Sequence, residues 1–134
     1  MKRKIKIANQ KPSVKELDDL CRSVVFRRAT APGIGPVCER CGSDSHLQWS
    51  HFLSRSNKAV RWDLDNSFCL CAGCHTMRLN SAHKDPAGFV EWVKGRLGEE
   101  RYDALRLRAA AVKGIDRWAV KAYLDKKMRE LNGK

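Results

Sequence analysis

Acidic side chains are scarce in this chain of 134 residues: 15 Asp and Glu stand against 27 Lys and Arg, giving a formal net charge of +12 and a pI near 9.8. That imbalance points to a polyanionic partner, nucleic acid first and an acidic membrane surface second. Long apolar runs are missing too, which excludes a bilayer-spanning helix. The N-terminal stretch Met1-Lys-Arg-Lys-Ile-Lys-Ile7 has positive charges with no apolar segment behind them, so it does not read as a secretory signal. The expected compartment is the cytoplasm. There is neither an internal repeat nor a low-complexity tract. At 43% hydrophobic and 31% charged residues, with a mean hydropathy of −0.53, the composition is that of a water-soluble globular protein. Its length suits one compact domain with a helical extension and leaves little room for a second.

What the chain does have is six cysteines, four of them in two pairs, Cys38-Glu-Arg-Cys41 and Cys71-Ala-Gly-Cys74. In a reducing compartment such pairs favour metal over disulfides. Two Cys-x-x-Cys knuckles each place two thiolates on a tight turn, and four sulfurs satisfy tetrahedral Zn²⁺. With no coordination position left open, that zinc is expected to hold shape and to do no chemistry. Cys69 is a rival ligand one residue outside the second pair, and the expectation is that it packs inside. Cys21 falls on the apolar face of a helix and reads as a small buried hydrophobe.

In chain order, residues 1–12 form a basic tail with five positive side chains and no acid. Residues 13–35 hold a helix and a linker: Ser13 and Glu16 make a capping box, Val14, Leu17, Leu20, Cys21, Val24 and Val25 recur at helical spacing to about Ala29, and Thr30–Pro36 is too rich in Gly and Pro to continue. Residues 36–84 form the cysteine-bounded core. There His46–Leu53 reads as a short strand with His51 near its end, Ser54–Ala59 as a loop, Val60–Trp62 as a brief extension, Phe68–Leu70 as a second strand, and His75–Leu79 as a short helix. Residues 85–134 form a helical extension. Asp85-Pro86 starts one helix, carrying Phe89, Trp92, Val93 and Leu97, and Gly98 stops it. A second runs from about Glu99 to Val112 with Tyr102, Leu105 and Leu107 as contacts. A third begins near Asp116 with Trp118, Ala119, Ala122, Tyr123 and Leu131 as its apolar side. Trp92, Tyr102, Trp118 and Tyr123 are read as core residues. The net charge is +6 over residues 1–30 (nine basic, three acidic), +2 over 31–84 (six and four) and +4 over 85–134 (twelve and eight), so positive charge flanks the core on both sides.

Closing the chain from Cys41 to Cys71 sets the strand end bearing His51 against the helix start bearing His75. An imidazole there can act as a general base on water, since its neutral form is well populated near neutral pH. Hydrolysis of a phosphodiester also needs a Lewis acid for the developing charge. His75 is a candidate ligand for that second ion, and Asn66 could either bind it or fix the loop. Arg55 and Arg61, on the stretch between His51 and Asn66, carry guanidinium forks suited to phosphate oxygens, with Arg55 the preferred clamp.

Cys38-x-x-Cys41, Ser50-His51, Asp65-Asn66 and Cys71-x-x-Cys74-His75, taken in order, resemble the HNH family of endonucleases over roughly residues 36–80. The strings Leu47–Arg55 and Arg61–Asn66 are similar to small phage-type HNH nicking and recombination nucleases. The resemblance implies an α+β fold: a small ββα-metal core pinned by a Cys₄ zinc site, flanked by an N-terminal helix and about three C-terminal helices. It implies cleavage of phosphodiesters in double-stranded or branched DNA, with His51 as general base and His51, Asn66 and His75 as the catalytic set. It also implies a catalytic Mg²⁺ or Mn²⁺ held by His75 and Asn66. Where many family members have an acidic ligand before the first histidine, this chain has Ser50. Asn66, His46, Asp44, Asp65 and His83 are the candidates to replace it, and His46 and His83 are each expected to be ordinary surface residues. The alternative is a non-catalytic zinc-ribbon module that binds DNA or a protein. Whether the chain acts as a monomer or a homodimer is left open.

Overall fold

The computed structural model describes residues 10–111 and 114–133, so most of the basic tail expected over residues 1–12 lies outside the described part. The fold is α+β: among the described residues there are five helical segments and two small antiparallel sheets, with four of the cysteines clustered. None of the described helices is long and apolar enough to cross a membrane.

Helix α1, Val14–Arg28, starts where the Ser13 hydroxyl accepts the Glu16 N–H at 3.1 Å, and it buries Leu17, Cys21, Val24 and Val25 along one stripe. Arg27 and Arg28 in the last turn oppose its dipole correctly. The expected linker closes on itself as a small ribbon, β1 (Thr30–Ala31) against β2 (Gly35–Pro36), its turn using Gly33 and Gly35 at positive φ.

The central hairpin pairs β3, Leu47–His51, with β4, Ser67–Cys71, in a register running from Leu47 opposite Cys71 to His51 opposite Ser67. Every residue of β4 is buried, because helices cover both of its faces. Phe68 and Leu70 point into a cluster with Phe89, Val93, Leu97, Leu105 and three of the paired cysteines. Cys69 points the other way, among Leu17, Cys21, Val24, Trp62 and Leu124. The hairpin is therefore a middle layer, and Leu47 packs against both clusters. Val60–Trp62 extends no strand; its backbone turns, with Asp63 N–H reaching Val60 O at 3.2 Å, while Val60 and Trp62 plug the two cores.

Gly73–Met77 forms a single π-helical turn that ends at Arg78, where a helix from His75 to Leu79 was expected. Gly73 leaves room for the Arg78 side chain, since a Cβ there would fall 2.8 Å from Arg78 Nε and the guanidinium, which reaches the Cys74 sulfur at 3.8 Å, would have to shift. The chain then folds back, so that Ala82 N–H donates to Cys74 O and His83 N–H to His75 O.

Helix α2, Pro86–Leu97, is capped by Asp85 and stopped at Gly98, whose φ of 81° suits glycine. Helix α3, Glu99–Ala109, follows at once and buries Leu105, while Leu107 faces solvent. Helix α4, Arg117–Asn132, begins at Asp116 and packs on α1. It turns Leu124 inward with Val120, Met128 and Leu131 beside it, whereas Trp118 and Tyr123 are 46% and 42% exposed. Those two aromatics are thus on the surface, contrary to expectation, because two apolar arcs compete on this helix and α1 takes the one with Leu124.

Ion pairs tie the layers. Glu39, inside the first cysteine pair, has a side chain only 1% exposed; it accepts from Arg28 of α1, Arg96 of α2 and the Cys69 N–H of β4. On the far side, Arg108 and Arg101 of α3 hold Asp63 and Asp65.

Candidate functional site

The frame of the site is the cysteine cluster. The ligand atoms of Cys38, Cys41, Cys71 and Cys74 all lie within 4.8 Å of one another, and no disulfide joins them. Four sulfurs arranged tetrahedrally about Zn²⁺ at about 2.3 Å would sit roughly 3.8 Å apart, so the set fits a structural zinc. Each knuckle is shaped for it. Gly42, at φ 82°, donates to Cys38 O at 2.9 Å, and the Cys74 N–H points at the Cys71 sulfur at 3.4 Å. Cys69 and Cys21 lie on the opposite side of the hairpin, buried in the α1 core, where loss of hydration pushes both thiols up to about 12. Cys69 packs inside, as expected.

Beside this frame a cleft of about 480 Å³ is lined by Trp49, His51, Phe52, Ser54, Arg55, His75, Ala82, His83, Pro86 and Phe89. It brings together His51 and His75, which the sequence places 24 positions apart, and adds His83. A hollow of similar volume between Lys58, Trp62 and α4 contains none of these histidines.

His51 ends β3 with Nε2 2.9 Å from the main-chain oxygen of Arg61. A carbonyl only accepts, so Nε2 carries the proton and Nδ1 carries the lone pair. Trp49 sets the ring edge-on at 4.3 Å between centroids. Burial, and then the charges of Arg55 and Arg61, hold the His51 pKa below its ordinary value of 6.5, outweighing the Arg61 carbonyl and Asp18, which act the other way. The neutral ring is accordingly the form present at neutral pH.

His75 is held by a different partner. Its Nδ1 lies 2.6 Å from the Gln48 side-chain oxygen, which can only accept, so Nε2 presents its lone pair. Burial chiefly, then His83 and His51, lowers its pKa as well. Gln48 gave no signal in the sequence beyond standing two positions before Ser50 on the same strand face.

No family model, curated protein or solved structure matches the chain. Its chemistry is therefore read from its own residues.

Asn66 is fully buried. Its oxygen accepts the Leu53 N–H at 2.7 Å, and its NH₂ donates to Leu53 O and Val60 O, each at 3.0 Å. It stitches the two sides of the loop between β3 and β4, the loop-fixing role of the two considered, and presents no exposed atom for an ion. Arg61 is likewise engaged elsewhere. Its fork grips Asp18 of α1 through two bonds of 2.9 and 2.7 Å, and it lines no part of the histidine cleft. Two of its five donors are thereby spent on Asp18, and the residue expected to contact substrate stands outside the cleft. Arg55 differs. Its guanidinium lies 5.7 Å from the Trp49 ring, at the cleft wall, in no ion pair among the described residues.

Ser50 is 1% exposed, opposite Phe68, with no hydrogen-bond partner for its hydroxyl among the described residues. Of the other candidates for the missing acid, Asp65 is in the ion pairs with α3, and Asp44 and His46 are exposed and line no part of the cleft. His83 alone among the histidines expected on the surface reaches the cleft, its ring edge-on to His75 at 4.7 Å.

Proposed function

We propose that the chain is an HNH-type deoxyribonuclease, a metal-dependent phosphodiesterase that nicks double-stranded or branched DNA. The observation that carries the reading is the tether of His51 Nε2 to the Arg61 carbonyl inside a cleft shared with His75 and Arg55. A base must keep its lone pair on the nitrogen that faces water and must stay neutral at working pH; the tether supplies the first condition and partial burial the second.

In this reading His51 Nδ1 takes a proton from the attacking water. Arg55 holds non-bridging phosphate oxygens from the cleft wall. His75, oriented by Gln48, offers Nε2 to a divalent ion, Mg²⁺ or Mn²⁺ in the family the sequence resembles, which when bound would stabilise the departing oxygen. Asn66 acts at a distance by fixing the loop that carries Arg55 and the Arg61 carbonyl. Structural zinc on the four cysteines holds the π-turn against the hairpin. The net charge of +12 supplies salt-sensitive attraction to the phosphate backbone and no sequence code. One such cleft per chain cuts one strand.

The test is supercoiled plasmid incubated with the purified chain and Mg²⁺, Mn²⁺ or EDTA, alongside His51→Ala. Conversion to open circle that needs metal and His51 supports the reading. If the two proteins bind DNA equally and neither nicks with any ion, the chain is a zinc-ribbon binding module.

A further inference from the structure

We infer that the ion of the cleft is held by a pair of imidazoles, His75 and His83, and belongs to the borderline transition metals, not to the hard ions such as magnesium. The inference takes from the nuclease reading only that the cleft holds a cation.

The first observation is chemical. The cleft lining contains three imidazoles and not one carboxylate. The acids around it are committed: Asp18 to Arg61 and the Trp62 indole, Asp63 and Asp65 to Arg108 and Arg101, Glu39 to Arg28 and Arg96, and Asp85 to the start of α2. Mg²⁺ takes oxygen ligands and gives up water reluctantly, so a wall of ring nitrogens suits it poorly. Imidazole suits nickel, zinc, copper and iron, with manganese the weakest of the divalent series.

The second observation is geometric. His75 and His83 have ring centroids 4.7 Å apart with planes at 84°. Two imidazoles bound to one ion at about 2.1 Å, near a right angle, have centroids roughly 4.6 Å apart. The spacing is built into the backbone: His83 N–H donates to His75 O at 3.1 Å, and Ala82 N–H to Cys74 O at 2.9 Å, so the returning chain is stitched to the π-turn. His75 has Nδ1 fixed by Gln48, which leaves Nε2 as the nitrogen that can ligate, and neither that nitrogen nor the His83 ring is held by a hydrogen bond to protein among the described residues. Two protein ligands would leave positions for water and phosphate oxygens, as a working ion requires.

The experiment uses the full chain with one zinc already on the four cysteines, checked by metal analysis before and after. Nickel is titrated calorimetrically, manganese by the loss of its free-ion spin-resonance signal, and magnesium is added as competitor. One further equivalent of nickel is expected to bind, more tightly than manganese, with roughly 100-fold excess magnesium failing to displace it. His75→Ala and His83→Ala should each weaken nickel binding at least about tenfold. His46→Asn, at an exposed position whose side chain lines no part of the cleft, should leave it unchanged. Because His83 is exposed, its truncation should keep the wild-type melting curve, which separates lost binding from lost fold. Unchanged nickel affinity in His83→Ala, or ready displacement by magnesium, overturns the inference. Plasmid nicking run in parallel keeps the two readings apart. Metal binding that depends on His83 without nicking leaves this inference standing and defeats the nuclease. Magnesium-driven nicking by His83→Ala at the wild-type rate does the reverse.

Discussion

The Nε2 of His51 lies 2.9 Å from the main-chain oxygen of Arg61, and the side chain of that same Arg61 is clamped by Asp18 on α1. One residue thus orients the imidazole through its backbone, while burial first, and then the charges of Arg55 and Arg61, disfavour the imidazolium. The arrangement fixes both the tautomer and the protonation state of the ring.

A pH profile tests this directly. Because the folded pKa of His51 lies below 6.5, the neutral base persists into mildly acidic solution, and nicking should fall only as pH drops through that lowered value. Arg55→Ala removes one of the lowering charges and should move the acid limb upward. The same sign applies to stability. His51 adds no penalty above the unfolded value near 6.5, and the fold weakens as pH falls from there through the folded value, since the unfolded state takes up the proton first. Histidine proton shifts followed by NMR would read the titration, and a limb at or above 6.5 would contradict the geometry.

The two arginines should separate cleanly. Arg55→Ala is expected to cut DNA affinity and nicking about tenfold while leaving the unfolding free energy within about 0.5 kcal/mol of wild type. Arg61→Ala leaves Asp18 with the Trp62 indole but without its charged partner and should cost about 2 kcal/mol in stability. Urea unfolding and a DNA-binding titration on both variants would decide it.

Asn66→Asp distinguishes a brace from a ligand. An added carboxylate would tighten an ion if residue 66 ligated one. In this structure it would instead face the carbonyls of Leu53 and Val60 where an NH₂ now donates, at a cost of about 2–3 kcal/mol. Metal titration and urea unfolding together give the answer.

Removal of the zinc proposed for the four cysteines should act on the fold before it acts on any chemistry. Three of the four paired cysteines belong to the core with Phe89, Val93 and Leu105. Structural zinc contributes about 10–16 kcal/mol to small metal-stapled domains, so chelation, or Cys38→Ser, should disorder the knuckles and lower the melting temperature. Cys69→Ala should still retain one zinc per chain by elemental analysis, because its sulfur faces α1.

Glu39→Gln offers a last check on the frame. Removing the charge leaves Arg28 facing a buried amide and loosens Arg96 on α2, an expected loss of about 3 kcal/mol by denaturant unfolding.

Local rules made much of this legible from residues alone. Ser13, Asp85 and Asp116 sit where caps were expected, because a cap needs only its own neighbours two or three positions on. The knuckles were legible for the same reason, two thiols to a turn. Arg61 was not, since its fate depends on Asp18, 43 positions earlier and on another element. Tyr123 and Trp118 were misplaced because α4 has two apolar arcs, and only the position of α1 selects between them. The helix expected over His75–Leu79 became one π-turn, held by Arg78 against Cys74 and by the returning chain at His83.

The sequence by itself therefore determined the cysteine frame, the caps and extents of the long helices, and the charge, all properties of neighbours along the chain. Only the tertiary structure decided which polar residues meet. It brought His83 to His75, withdrew Arg61 and Asn66 into the scaffold, and left Arg55 at the cleft, because those outcomes turn on hydrogen-bond and ion-pair competition between segments that the chain order keeps apart.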